Sequence, residues 1–411
     1  MKKTIVITLV LMCSMMAFAQ KKETIEIKRT KEFWLSTIRE IDWYLEQIKA
    51  WREAVDADPK DEWAWRNYYC ATDGMYTNGY GKEPDKSESA KILRKMEAAI
   101  PDSYILNLCK CRFSEVADSV ASKRVDFVRR AAQLYQMQNR KNIDDGDIHY
   151  LALQLWETDP ENWRKEMLFK WLHWKKFFPL RIMQYNRNML LSMQPQALYF
   201  ANEEESYEPM KMIQEALKER QDVIVIPTSF LHSDTFMDAI YKKLSIKPLA
   251  IDIKDYEKYG GDRDKQYETD VIMYLIKESK RPTYFNTDIL RKTALDKDSI
   301  YNEGLLLKYS PVPYDNFAVA MHNVKEVYSL EYLTEPDLVY DSRVISFWTD
   351  LSNITLLANL ISKFRKEGDK AQADRLYNIL SKCVEKCFEN GNPNWKRKYE
   401  NMLKEQQETQ E

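Results

Sequence analysis

The sequence predicts a mainly α-helical chain in which degenerate helical repeats flank a small parallel α/β insert. Three observations carry that expectation. Only 9 of 411 residues are glycine, where about 7% is usual, whereas Trp, Tyr and Phe number 11, 25 and 15. Aromatic residues recur at three- and four-residue steps through the first half, the period of a helix with one buried face. Short apolar and β-branched runs break that period mainly between residues 191 and 315. Such scarcity of glycine also argues against phosphate-wrapping loops, which need close backbone approach.

Taken in chain order, the first 19 residues read as a signal peptide. Lys2 and Lys3 form a basic start, Ile5 to Phe18 is almost wholly apolar, and Ala17-Phe18-Ala19 offers small residues for cleavage before Gln20. The run is shorter than the about 20 residues a spanning helix needs. Bulky Met12 disfavours lipidation of Cys13. No later stretch is long and uncharged, so the expectation is an exported protein, periplasmic or cell-surface associated, and not an integral membrane protein.

Charge and cysteine content narrow the chemistry. Lys and Arg total 62 against 64 acids, a net charge of −2, and losing Lys2 and Lys3 makes the chain more acidic. Nucleic acid is therefore not an expected partner. Beyond Cys13, Cys70, Cys109, Cys111, Cys383 and Cys387 form an odd set. They read first as buried small hydrophobes, with one disulfide as the alternative. The histidines, His149, His173, His232 and His322, are scattered and none sits beside a cysteine pair. No metal site or cofactor is expected.

Residues 20–190 read as an aromatic-rich helical-repeat region. Phe33, Trp34, Ile38, Ile41, Trp43, Tyr44, Ile48 and Trp51 fit one amphipathic helix that stops at Asp58-Pro59. The next would start there, with Asp as cap and Pro in the first turn, and carry Trp63, Trp65, Tyr68 and Tyr69. Ile100-Pro101 and Asp159-Pro160 repeat the junction, the latter ahead of Trp163, Met167, Trp171 and Trp174. Helix, Pro-marked turn and helix resemble degenerate tetratricopeptide-type repeats, although the intervals between these prolines are unequal. Trp43, Trp51, Trp63, Trp65, Trp171 and Trp174 read first as core, with sugar stacking as the alternative if exposed. Trp63 and Trp65 point to opposite sides of one helix, so one of them is expected at the surface.

Residues 191–315 read as the small α/β domain. Candidate strands are Ala197–Ala201, Val223–Ile226, Pro282–Phe285 and Leu305–Leu307. Helices are expected over Tyr207–Arg220, Asp234–Leu244 and Lys265–Ser279. This alternation suggests a parallel sheet with right-handed connections. Residues 316–411 return to helix. Leu357, Leu360, Ile361 and Phe364 line one face, Gly368 ends that helix, and Ala373, Tyr377 and Leu380 line the next, a spacing similar to one tetratricopeptide helix pair. A last helix is expected from Asn392-Pro393, carrying Trp395, Tyr399 and Leu403.

In an open α/β sheet, ligands bind outside the carboxyl ends of the strands. Those ends place Asn202, Glu204, Ser229, His232 and Asp234 as ligand-binding candidates, with Asn286 and Asp288 behind a third strand. Carboxylates near a histidine suit acid–base work or a hard cation. The competing reading is ordinary: Glu203–Glu205 favour a helix N-terminus, and Ser233 and Asp234 cap another. No nucleophile elbow, His-Glu-x-x-His or calcium-loop spacing occurs, and no catalytic residue is assigned.

Three segments of the middle region carry a family resemblance: "ALYFANEEESYEPMKMIQEALKERQDVIVIPTSFLHSDTFMDAI" (Ala197–Ile240), "RPTYFN" (Arg281–Asn286) and "NEGLLLKYSPVP" (Asn302–Pro313). Together they resemble the soluble C-terminal region of Bacteroidota membrane proteins of unknown function whose membrane portion is protein-O-mannosyltransferase-like. The family's Gly-Asp-Asn-Asp turn is replaced here by Glu203-Glu204-Glu205-Ser206. The resemblance implies an accessory domain without the membrane-embedded catalyst. The functional expectation is an exported, non-catalytic protein-binding or scaffold module of a bacterial cell envelope, a subunit of a larger complex. The alternative is a carbohydrate-related accessory or enzyme, binding a glycan in the α/β insert.

Overall fold

A computed structural model describes residues 40–77, 80, 86–114, 123–137, 145–202, 204–334 and 356–387, with 397, 400, 401 and 404 beyond them. The expected signal peptide, Phe33, Trp34 and Ile38, Glu203, and Trp395, Tyr399 and Leu403 of the last expected helix lie outside the described residues. Contacts divide the chain into two units, Met1–Tyr150 and Leu151–Glu411.

The first unit is helical throughout its described residues: α1 (Ile41–Ala57), α2 (Glu62–Thr77), α3 (Lys86–Ala99), α4 (Tyr104–Ser114), α5 (Arg124–Met137) and the opening of α6 (Asp145–Thr158). Helix α1 packs on α2, and α4 on α5. The Pro-marked junctions share a construction that differs from the expected one. Pro59, Pro101 and Pro160 are not inside the helices. Each occupies the second position of a turn closed by a backbone bond: Asp61 N–H to Asp58 C=O (3.1 Å), Ser103 to Ile100 (3.3 Å) and Asn162 to Asp159 (2.9 Å). Proline's fixed φ suits that position. The residue two beyond each proline is then the cap. Asp61 accepts from Trp63 and Ala64, Ser103 from Leu106, and Asn162 from Arg164.

Aromatic and aliphatic side chains fill this unit's core, among them Tyr44, Trp51, Tyr69, Tyr104 and Leu108. Trp65 is buried, its indole N–H donating to the Pro59 carbonyl at 3.0 Å, whereas Trp63 is the partly exposed member of the pair and lies under the Arg66 guanidinium. Arg66 and Asp147 are both fully buried and joined through the guanidinium Nε (2.8 and 2.9 Å) and Nη2 (2.6 Å). Burial opposes the Arg66 charge, but Asp147, together with Cys70 and Cys109, outweighs it and raises the guanidinium pKa. Cys70, Cys109 and Cys111 are free buried thiols, as is Cys383 in the second unit. Burial pushes Cys70 up to about 12 and Cys109 well above the usual thiol range. They behave as the small hydrophobes the sequence suggests.

In the second unit, the rest of α6 is followed by α7 (Trp163–Trp174) and α8 (Leu180–Ser192), and then by a five-stranded sheet. The strands are β1 (Leu198–Ala201), β2 (Ile224–Pro227), β3 (Thr283–Phe285), β4 (Ile300–Asn302) and β5 (Leu307–Tyr309), in the order β2-β1-β3-β5-β4. Strand β1 pairs in parallel with β2 and β3, Phe200 lying opposite Ile226 and Phe285. These three strands form the expected parallel core, and every one of their residues is buried. The remaining pairs are antiparallel, so the whole sheet is mixed. Only four residues separate β4 from β5, too few for a crossover, and they close as a hairpin. Gly304 within it has φ of +113°, and a Cβ there would meet the Tyr328 hydroxyl at 2.9 Å.

Helices α9 (Glu204–Leu217), α10 (Asp234–Leu244) and α11 (Arg263–Ser279) connect the parallel strands. Pro209 sits inside α9 and removes the donor that would bond the Glu205 carbonyl; Asn186 Nδ2 supplies one instead at 2.6 Å. The turns use little glycine. Gln196, Lys218, Arg220, Ser245 and Lys280 all adopt left-handed backbone, with φ between +46° and +60°. Arg220 also gathers the carbonyls at the end of α8, donating to Leu190, Met193 and Gln194 at 2.9–3.0 Å while pairing with Asp222.

A short helix, α12 (Ile289–Lys292), follows β3, and α13 (Asn316–His322) follows β5. Helix α14 (residues 356–366) and α15 (Lys370–Cys387) then form the helix pair expected from the tetratricopeptide-like spacing. Leu357, Leu360, Ile361, Phe364, Ala373 and Leu380 are buried, and Gly368 turns the chain with φ of +83°. Leu376 takes the fully buried position next to Tyr377, which stays partly exposed.

Candidate functional site

The strand order β2-β1-β3-β5-β4 places a switch point between β1 and β3, because the chain leaves β1 toward β2 on one side and β3 toward β4 on the other. Asn202 follows β1. Asn286 follows β3 and continues the register one step beyond Phe200–Phe285, its N–H donating to the Phe200 carbonyl at 3.1 Å. Asn286 is only 4% exposed, and its side-chain oxygen has no hydrogen-bond partner. The switch point is therefore flanked by two carboxamides, one of them buried with an unsatisfied acceptor.

The other sequence candidates fall into two groups. Tyr207 of α9 collects the first. Burial, followed by the charges of Glu208, Glu204 and Glu205, raises its hydroxyl well above the usual tyrosine range, with Ser229 acting the other way. Glu204 and Glu205 lie in the first turn of α9, where the helix dipole favours acids. Tyr267 of α11 collects the second. His232 stacks on its ring at 5.0 Å and bonds Glu268 at 3.2 Å, while Asp234 lies close enough to help raise the Tyr267 hydroxyl, after burial. Ser233 holds the N-cap position of α10 without a capping bond; its hydroxyl donates to the Glu157 carbonyl at 3.4 Å.

Two surface features escaped sequence reasoning. A cleft of about 650 Å³ lies over α11, lined by Leu249, Ile251, Tyr256, Asp270, Met273 and Tyr309. Tyr256 donates to Asp270 at 2.7 Å within it, and burial, then Asp270, pushes the phenol up to about 12. The cleft contains none of the five candidates.

The second feature is α7, which is apolar on two sides. Leu168, Phe169 and Leu172 are buried, with Phe169 edge-on to Trp156 of α6. On the outside Trp163 is 55%, Met167 42% and Trp174 69% exposed, and Leu180 at the start of α8 is 70% exposed. Trp171 and Trp174 lie 5.1 Å apart, with the Lys175 ammonium over both rings, and Arg164 lies over Trp163. Large apolar side chains grouped on an exposed helix face mark interaction surfaces more often than isolated ones do.

Among the described residues no set of three His, Cys, Asp or Glu side chains is placed to hold a metal ion, and no helix is long and apolar enough to cross a membrane. The chain matches no known protein family, no curated protein and no solved structure.

Proposed function

We propose that the chain is an exported, non-catalytic binding or scaffold module of a bacterial cell envelope, one subunit of a larger complex, with a protein as its partner. The outward face of α7 carries this reading. Trp163, Met167, Trp174 and Leu180 expose the residue types that anchor protein interfaces, and cations stand over the indoles. Helix–turn–helix units, which commonly serve as binding surfaces, make up much of the chain, and the family resemblance implies an accessory domain.

Affinity capture from native envelopes, compared between the parent chain and a Trp163→Ala/Trp174→Ala variant, tests it. A stoichiometric protein partner that is lost with the variant, while circular dichroism stays unchanged, is the expected result. Recovery of the parent chain as a free monomer, or capture indifferent to the two tryptophans, overturns it.

A carbohydrate-related role for the α/β insert has one observation behind it, the unsatisfied Asn286 carboxamide at the switch point. On that reading envelope oligosaccharide raises the melting temperature of the parent chain but not of Asn286→Ala. An equal rise in both, or none, removes it.

A further inference from the structure

Helices α7, α9 and α10 bring together a group of charges that does not balance. Glu215 of α9 accepts Lys211 at 2.6 Å, Lys165 of α7 at 3.7 Å and Lys218 at 3.8 Å. Glu166, the second carboxylate, is taken by Lys170 and Lys218 at 2.7 and 2.6 Å. These ties hold the Glu166 carboxyl down to about 2. Lys243, near the end of α10, senses the charges of Lys211, Arg281 and Glu215, yet no carboxylate lies within ion-pair distance of it among the described residues. Four ammonium groups thus share two carboxylates, and Lys243 adds a further positive charge nearby.

The group is not a solvated fringe. The side chains of Lys165, Lys211 and Glu215 are only 13%, 16% and 10% exposed, and the Lys211 ammonium lies 5.5 Å from the centre of the Trp156 ring. Sequestered charges are tolerated when paired, and like charges held together in a half-dry site repel strongly. The amines respond accordingly. Burial, then Lys211, holds Lys165 down to about 8. Lys243 is also lowered, by burial of its ammonium and then by Lys211 and Arg281, although the residue as a whole is exposed.

We propose that Lys165 and Lys211, with Lys243 nearby, form a binding site for a tetrahedral oxyanion of the phosphate or sulfate class, seated between α7 and α9. A dianion supplies the missing negative charge and several acceptor oxygens, and lysine ammonium groups reach it from both helices as point donors. Binding also reverses the repulsion on Lys165. Its amine takes up a proton as the anion enters near pH 8, so anion and proton uptake are linked. This inference is independent of the outward face of α7. Lys165 is on the side of that helix turned toward α9, and the protein-partner reading stands or falls separately.

Calorimetric titration with inorganic phosphate at pH 8, at constant ionic strength and in two buffers of different ionisation enthalpy, tests the site. Expected are saturable binding with net proton uptake, a rise in melting temperature beyond that given by chloride, and a loss of affinity of about tenfold or more in Lys165→Met and in Lys243→Met. Lys243→Arg retains binding, and so does Lys242→Ala, whose exposed lysine pairs with Glu161. Vesicles of phosphatidylglycerol form the second arm. Association that free phosphate competes away assigns a lipid headgroup as the source, and phosphate binding without vesicle association assigns a free anion. Absence of phosphate binding, or affinity unchanged in both methionine variants while they remain folded, overturns the proposal.

Discussion

Two regions of this chain bury charge, and they do it in opposite ways. In the first unit Arg66 faces Asp147, both fully sequestered, with the guanidinium bonding both carboxylate oxygens. In the second, Lys165 and Lys211 share Glu215 with Lys218, and Lys243 adds further positive charge. The first arrangement sets one buried cation directly against a buried carboxylate. The second is left with surplus cations. A matched buried pair is part of the architecture; an unmatched one points to something that completes it.

Removing Asp147 is the severest test of the contrast. Asp147→Ala leaves the Arg66 guanidinium buried without its partner, and urea unfolding should show a loss of about 3–5 kcal/mol. Replacing both with apolar residues of similar volume, Arg66→Met with Asp147→Leu, should restore most of it. A single variant as stable as the parent would show that Asp147 is not what holds the charge.

The second region should respond with the opposite sign. Lys165 has a folded-state pKa of about 8, below the ordinary lysine value of 10.5 that it regains on unfolding. The unfolded chain therefore binds more protons between these values, and stability rises with pH from about 8 toward 9.5. Above that the raised tyrosines begin to work the other way. Lys165→Met should flatten the rise and, without phosphate, be at least as stable as the parent at pH 7. Denaturant midpoints measured at intervals from pH 7 to 9.5 read both effects, and a flat parent profile would contradict the contrast. Smallest of all is Lys242→Ala. Its pair with Glu161 is exposed on both sides, and the change in unfolding free energy should stay within about 0.5 kcal/mol.

The sequence expressed these features unevenly. Strands β1, β2 and β3 were legible because Leu198–Ala201, Ile224–Pro227 and Thr283–Phe285 sit in short apolar or β-branched runs, and burial on both faces requires such runs. Strand β4 was not, since Ile300–Asn302 is a partly exposed edge whose pairing is decided by the hairpin with β5. The junction prolines were visible but their role was misjudged by one turn, because Asp58-Pro59 and Asp159-Pro160 look like caps until Asp61 and Asn162 are seen accepting the helix N–H groups. Helical periodicity also cannot say which of two apolar faces is covered. Trp174 therefore reads first as core, yet it is exposed while Leu168 and Leu172 of the same helix are buried. Among the site candidates, sequence order placed Glu204, Ser229 and His232 near strand ends, but side-chain partners separate the Tyr207 group from the Tyr267 group. Lys165, Lys211 and Lys243 belong to three helices distant in sequence and share no local pattern.

Arg220 has a bearing on how this part of the chain can change over time. Its backbone makes the left-handed bend ahead of β2, while its side chain ties off the end of α8, some thirty residues earlier. A glycine would ease the bend and release the helix end; any other residue keeps the strain without the tether. The length of chain between Leu190 and Asp222 is thus pinned at both ends by one residue, and inserted segments should survive far better in the exposed stretch from Lys247 to Asp252 than there.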